Sequence, residues 1–393
     1  MTIKDVILKE IKGIWGNPPV EGELSTPVIK TNNMTYEGYI DYDDITYRSI
    51  PDNKITSCFL KRGDLLVEKS GGTKTHSVGY VNIFNKENDV FVCNNFIVGL
   101  RPDNTIILSE YLFFQMKYFY EIGIFSDCYN KTTGIQNLQL QTYLSKPIVC
   151  PEKAEQKKVV STLSNIVKAL DKKKEQLKKL DELIQSKFYE MFGDPVVNDK
   201  GWKVEKLGKM GTLKNGLNYS QNEEGCTIRI LSVSDFKDRF KIEDVTQLST
   251  ISLSQMPSDE MLLKDGDIVF VRSNGNKKLV GRSLLVYPRN EPTSFSGFCI
   301  RFRNNSKLID NTFLVTCLKT DSIREKLFGR GANISNLNQT MLQSLVIPCP
   351  PLSLQQTYTI YVEKVEQAKT IVNQEIAHLQ ELLNSRMDYY FRK

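Results

Sequence analysis

Two short stretches carry the side chains best suited to gripping an anionic polymer, and each mirrors the other. They are "EKSGGTKTHSVG" at 68–79 and "VRSNGNKKLVG" at 271–281. Each follows a Gly-Asp pair and an apolar run, and each mixes glycines, small hydroxyls or amides, and cations. Glycines at Gly71 and Gly275 let backbone come close to a phosphate, while Lys69, Lys74, Arg272, Lys277 and Lys278 supply counter-charge. Ser70, Thr73, Thr75, Ser273, Asn274 and Asn276 have the reach and the donor or acceptor atoms to read base edges. A solvated hairpin turn would also use glycine and asparagine. Occurrence at matched places in both halves of the chain favours the binding reading.

A second matched pair lies further along each half, "YNKTTGIQNLQ" at 129–139 and "GRGANISNLNQT" at 329–340. Its candidates are Lys131, Thr132, Arg330, Asn333 and Ser335, with a capping loop as the equally weighted alternative. The lysines of "DKKKEQLKKLDE" at 171–182 are interleaved with Asp171, Glu175, Asp181 and Glu182, the pattern of a wet helix face.

Catalytic chemistry finds little to work with. "GNPPVEG" at 16–22 begins like the Asn-Pro-Pro-aromatic motif of DNA amino-methyltransferases, but Val20 stands where the aromatic should stack on a flipped base. No Gly-x4-Gly-Lys-Ser/Thr phosphate loop is present. With two histidines, neither a zinc site nor a His-based triad is expected. Eight cysteines lie too far apart for a knuckle or a tight disulfide framework, and they read as free thiols in a reducing, cytoplasmic setting. The longest apolar run, "YLFFQMKYFY" at 111–120, is too short to span a bilayer.

The elements that must position these loops are written twice. "IVCPEKAEQKKVVSTL" at 148–163 returns 199 residues later as "IPCPPLSLQQTYTIYV" at 347–362. At that offset Cys150-Pro151 falls on Cys349-Pro350, Gln156 on Gln355, Ile184 on Leu383 and Phe192 on Phe391. Upstream, "GDLLVEKSGG" at 63–72 lies over "GDIVFVRSNG" at 266–275, and "FIVGLR" at 96–101 over "FCIRFR" at 298–303. The chain is a duplication of a variable body followed by a long helix.

Each body is expected to be β-rich. Phe96, Val98 and Leu100, like Phe298, Ile300 and Phe302, have the period-two spacing of a half-buried strand. Local helices are expected at 110–122 and 321–328. In the long segments, Leu163, Leu170, Leu177, Ile184 and Met191 recur every seven residues, as do Val362, Ile376, Leu383 and Tyr390, with Lys369 as the break. That is a coiled-coil seam, so the two helices are expected to pair. A helix of about 40 residues is about 60 Å long. The fold class is therefore α+β, with two β-rich bodies in pseudo-twofold tandem separated by two long antiparallel coiled-coil helices. The boundaries fall at 1–150, 151–198, 199–349 and 350–393.

Charge is uneven. Residues 1–150 hold 15 Lys and Arg against 17 Asp and Glu, while residues 199–348 hold 22 against 16. The whole chain is at +6. Two similar bodies on a stiff rod would act as a ruler for two half-sites on DNA. The alternative is a protein-binding scaffold that uses the rod as a spacer.

Taken together, "VCPEKAEQKK", "PCPPLSLQQ", "LIQSKFYEMFGDP", the restart "GWKVEKLGKM" at 201–210 and "GDIVFVRSNG" resemble the specificity subunit of type I restriction-modification enzymes. The resemblance spans the chain in that family's order of two target-recognition domains alternating with two conserved helical regions. It implies a non-catalytic subunit that recognises a bipartite duplex DNA site. It also implies docking of two methyltransferase subunits, with restriction subunits possible, on surfaces from Pro151 to Asp194 and Pro350 to Lys393. S-adenosylmethionine, ATP and Mg would then belong to the partner subunits, with no cofactor and no metal in this chain.

Overall fold

The computed structural model describes residues 1–19, 25–73, 76–87, 89–132, 135–219, 224–236, 239–328 and 336–392. Contacts divide the chain into two compact units, Met1–Lys174 with Gln374–Lys393, and Glu175–Asn373.

In the first unit a four-stranded antiparallel sheet runs Ile7–Lys12, Ile97–Pro102, Leu65–Glu68, Val81–Ile83 in spatial order. Apolar residues fill both faces of its central strands Ile97–Pro102 and Leu65–Glu68, which are buried almost throughout, while the edge strand Ile7–Lys12 buries only Ile11 and exposes Leu8, Lys9 and Glu10. Leu65, Val67, Val98 and Leu100 face the helix Ser109–Glu121 and the long helices. Ile11, Leu66 and Ile97 face a second layer containing the three-stranded sheet of Thr46–Arg48, Thr26–Ile29 and Val92–Cys93. Period two at 96–100 is thus not a half-buried strand. Ile97 is as fully buried as Leu100, and Phe96 lies just outside the strand and is exposed.

The second unit repeats this plan. Gly211–Asn215, Cys299–Asn304, Asp267–Val271 and Ser283–Val286 lie in the same order, and Lys241–Ile242 adds a parallel edge strand. Ile268, Phe270, Ile300 and Phe302 pack towards the helix Asn311–Lys319 and the long helices, and Val269, Val271 and Cys299 pack away from them. Phe298 is exposed, as Phe96 is. The helix expected at 110–122 occupies Ser109–Glu121 and that at 321–328 occupies Asp321–Phe328.

Buried charge is paired alike in both bodies. Arg101 donates from Nε and Nη2 to both oxygens of Asp64 at 2.8 and 2.7 Å, and Arg303 donates to both oxygens of Asp267 at 2.8 Å. A two-pronged bond of this kind fixes the strand start Gly-Asp against the strand that carries the arginine. The restart of the second body, Val204–Lys206, pairs with Val346–Pro348. The first body has a counterpart made by backbone alone, in which Thr2 bridges to Pro147 and Ile3 donates to the Lys146 carbonyl.

The two long helices are Lys153–Phe192 and Leu352–Phe391, 40 residues each. Each begins just after its Cys-Pro, and the repeated glutamine explains why. Gln156, fully buried, accepts from the Leu108 amide at 2.8 Å and donates to the carbonyls of Ile106 and Pro151. Gln355 accepts from the Asp310 amide at 2.8 Å and donates to the carbonyls of Leu308 and Pro350. One side chain thus satisfies loop groups that burial would otherwise orphan.

Within the first unit Val159, Leu163, Ile166 and Leu170 share a core with Leu383, Met387 and Phe391, and Lys173 pairs with Glu375 at 2.7 Å. Within the second, Ile184, Phe188 and Phe192 meet Tyr358, Val362 and Val365, and Tyr358 donates to the Ile184 carbonyl at 3.0 Å. Lys369, the break in the seam, donates to Asp181 and Glu366 at 2.7 and 2.8 Å. Burial pulls its ammonium down, but the two carboxylates outweigh that and leave its pKa raised. No described helix is long and apolar enough to cross a membrane.

Candidate nucleic-acid interface

The first matched loop is held on three sides. Lys69 and Ser70 donate their backbone N–H groups to the Phe96 carbonyl at 2.8 and 3.4 Å. The Lys69 carbonyl accepts from Leu138 at 2.8 Å, and Ser70 and Gly71 pair with Asn137 and Gln136. The loop of the first candidate pair and the hairpin of the second therefore form one surface. Lys131 and Thr132 stand in the hairpin strand Tyr129–Thr132, opposite Gln136 and Ile135.

The second unit repeats these bonds. Arg272 and Ser273 donate to the Phe298 carbonyl at 2.7 and 3.3 Å, the Arg272 carbonyl accepts from Leu337 at 2.8 Å, and Ser273 bridges to Asn336. Lys74, Thr75, Arg330, Asn333 and Ser335 lie outside the described residues.

Several of the small polar side chains hold the loops in shape. Ser70 donates to Asn137 Oδ1 at 2.7 Å. Asn274 Oδ1 accepts from the Asn276 amide at 2.7 Å, and Asn276 Oδ1 accepts from the Lys278 amide at 3.1 Å, capping the short turn Lys277–Leu279. That cap leaves Lys277 and Lys278 exposed. Arg272 is half-buried, and its Nη1 reaches the Gly297 carbonyl at 3.4 Å.

Behind Lys278 and Arg282 opens a cavity of about 540 Å³ into which Lys319 and Arg324 also project. Burial pushes the Lys319 ammonium down to about 8. The cavity walls mix these cations, with Arg239 and Lys369, and the carboxylates of Asp181, Asp321 and Glu366.

The loop of the first body has a different interior. Glu68, matched by Val271 in the other half, is 6% exposed beneath the glycines. Gly71 has φ +128°, and a Cβ there would meet Glu68 Oε1 at 2.7 Å, so a side chain is excluded twice over. Burial pushes the Glu68 carboxyl up to about 6, opposed by the Gly72 amide. Tyr36 stacks on His76 with ring centroids 3.8 Å apart, closing one side of the loop. Sequence reasoning passed over Glu68, and it placed Phe96 and Phe298 inside strands. The shared position of Phe96 and Phe298 in the duplication is the available signal, and Glu68, which falls on Val271, has none.

Exposed Lys277 and Lys278 beside half-buried Arg272 have the chemistry to pair with phosphate groups. Among the described residues there is no cluster of three or more His, Cys, Asp or Glu arranged to hold a metal ion.

Comparison with known proteins agrees with the duplication. The type I restriction modification DNA specificity domain matches residues 14–182 and again 199–381. The specificity subunit of the type I restriction enzyme StySPI from Salmonella potsdam is 25% identical over 389 residues, covering 93% of this chain and 81% of that protein. The EcoKI specificity subunit of Escherichia coli K12 is 24% identical over 400 residues, covering 93% and 82%. The fold is shared with a chain solved in work on the assembly and conformational transition of a type I restriction-modification system (TM-score 0.56, 15% identity, 99% and 96% covered). It is also shared with the S subunit of M. genitalium (TM-score 0.51, 16% identity, 98% and 94% covered). With one domain of this kind matching each half and together spanning most of its length, the chain belongs to the type I restriction-modification DNA specificity family, as a specificity subunit.

Proposed function

We propose that this chain recognises a bipartite duplex DNA sequence, one half per body, and carries no catalytic activity of its own. The observation that carries the reading is the repetition of a backbone frame. In both bodies the loop after the Gly-Asp strand is anchored to a phenylalanine carbonyl and to the hairpin or loop leading to the long helix. The loops present Lys69 in one body and Arg272, Lys277 and Lys278 in the other, together with the candidates Lys74, Thr75, Lys131, Thr132, Arg330 and Asn333 of the same stretches. Cations grip phosphates while loop side chains and amides face the bases.

The helices act in this reading as a coiled-coil spacer fixing the gap between half-sites, and as the docking surface for two methyltransferase subunits. S-adenosylmethionine would be held by those subunits, and ATP and Mg by restriction subunits where present. The complex would work in the cytoplasm on the host's own DNA.

The test is a map of methylated adenines in the host genome with and without this chain, together with retention of random-sequence duplex by the chain and its methyltransferase subunits. A single split motif that vanishes with the chain supports the reading. An unchanged methylation map and no DNA retention would sink it, leaving the scaffold.

A further inference from the structure

Each body places one phenylalanine in water at the foot of its loop. Phe96 is 53% exposed and Phe298 is 62% exposed, whereas Leu100 and Phe302, four residues on in each strand, are fully buried. Single exposed apolar residues are ordinary on protein surfaces and need no account. Two at equivalent places, held by equivalent bonds, are a different observation.

The bonds are specific to the position. Each phenylalanine is the third residue of a tight turn, closed by Ile97 donating to the Asn94 carbonyl at 3.1 Å and by Cys299 donating to the Ser296 carbonyl at 2.8 Å. The side-chain oxygen of the first turn residue accepts from the phenylalanine amide, Asn94 in one case and Ser296 in the other. The phenylalanine carbonyl then accepts from both residues that open the cationic loop. A glycine lies against each turn. A Cβ on Gly13 would fall on Asn94 and Ile97 backbone oxygens, and one on Gly216 on those of Phe295 and Ser296. These bonds use the backbone of the phenylalanine and ask nothing of its ring, so any residue with a backbone N–H would make them. The turns otherwise differ in sequence, Asn-Asn-Phe-Ile against Ser-Gly-Phe-Cys.

We propose that Phe96 and Phe298 are the apolar base-contacting residues of the two bodies, each presented beside its loop to the edges of bases in one half-site. This rests on the DNA-reading function proposed above. Duplex DNA fits these rings better than a protein surface does. The backbone that holds each ring belongs to Lys69 and Ser70 in one body and to Arg272 and Ser273 in the other, residues whose charge and hydroxyls suit phosphates and base edges. An aromatic ring recognises DNA through the thymine methyl group or by leaning into a base step, and neither contact releases counterions. The rings would therefore supply discrimination between sequences, and the cations would supply grip.

The test uses the full chain assembled with its methyltransferase subunits. Affinity is measured by fluorescence anisotropy on the duplex that the complex selects and on a scrambled duplex, across a salt series. Phe96→Ala and Phe298→Ala are each expected to weaken binding to the selected duplex roughly tenfold. The scrambled duplex, the slope of log affinity against log salt and the melting temperature should stay as in the parent, and Phe96→Leu and Phe298→Leu should keep most of the affinity. Unchanged discrimination in both alanine variants would overturn the assignment. So would an equal loss on both duplexes with a lower melting temperature, which marks a structural role, or loss of the methyltransferase subunits, which marks a protein contact. Failure of the parent complex to prefer any duplex would instead remove the DNA-reading function, and the assignment with it.

Discussion

Arg272 and Lys277 belong to one loop, and their surroundings assign them different work. Lys277 is exposed on a turn capped by Asn276, so in the proposed interface it would meet DNA as a point charge. Lys277→Ala should weaken binding alike on all sequences and lower the salt slope by about one. Arg272 is half-buried against the Gly297 carbonyl, so Arg272→Ala should also cost discrimination. Filter binding of the selected and a scrambled duplex at two salt concentrations separates the two, and unchanged affinity in both variants takes this loop out of the interface. Glu68 offers a pH handle. Burial raises its carboxyl from the usual 4.5 to about 6, so between those values the folded chain binds more protons than the unfolded one. Stability from this group therefore rises as pH falls from about 6 to about 4.5 and is lost again as pH rises, with a span on the order of 2 kcal/mol. Glu68→Gln should melt above the parent at pH 8 and with it at pH 4.5. An equal difference at both values would show that the carboxyl is not what the loop pays to bury. None of this could be read from Glu68 itself, because its match in the other half is Val271 and only the folded turn shows what lies above it.

The elements were most legible where side-chain identity does the fixing. Gln156 and Gln355 recur at the same offset because each holds three loop groups, and a glutamine is the side chain with both an acceptor and two donors at that reach. Substitution by leucine keeps the volume and orphans those groups. Gln156→Leu should destabilise the first unit, and Gln355→Leu the second, by about 2–4 kcal/mol each. Amide exchange resolved by peptide would show the loss confined to 1–174 and 374–393, or to 175–373. A loss spread evenly over both would mean that the glutamines do not anchor their own body. Elements fixed by backbone left no such trace. The pairing of Thr2 with Pro147 needs no particular side chain, which is why the first body's start has no visible match to "GWKVEKLG". Period two likewise ran one residue too far at Phe96 and Phe298, since alternation says which residues share a face and not where a turn ends the strand. Lys369 breaks the heptads for a reason that lies on the other helix, in Asp181.

At the scale of the whole molecule, both long helices run through both compact units, since the division falls after Lys174 in one and after Asn373 in the other. Each unit holds its own stretch of both helices by its own core, Leu163 and Leu170 with Leu383 and Met387 in one, Ile184 and Phe188 with Tyr358 and Val362 in the other. Material added at those two points would leave every one of these contacts intact. Seven residues make about two helical turns, so an inserted heptad returns each apolar stripe to nearly the same face. They also add about 10 Å of helix at 1.5 Å per residue, close to three base-pair steps of 3.4 Å. If the helices set the spacing between half-sites, a heptad inserted after Lys174 together with one after Asn373 should lengthen the gap in the selected motif by about three base pairs. The bases read on either side should not change, because both loops are untouched. Selection from a random duplex library, scored by methylation, reads out gap and bases together. A motif that keeps its original gap with full methylation would show that the spacing is set by the bodies and not by the helices.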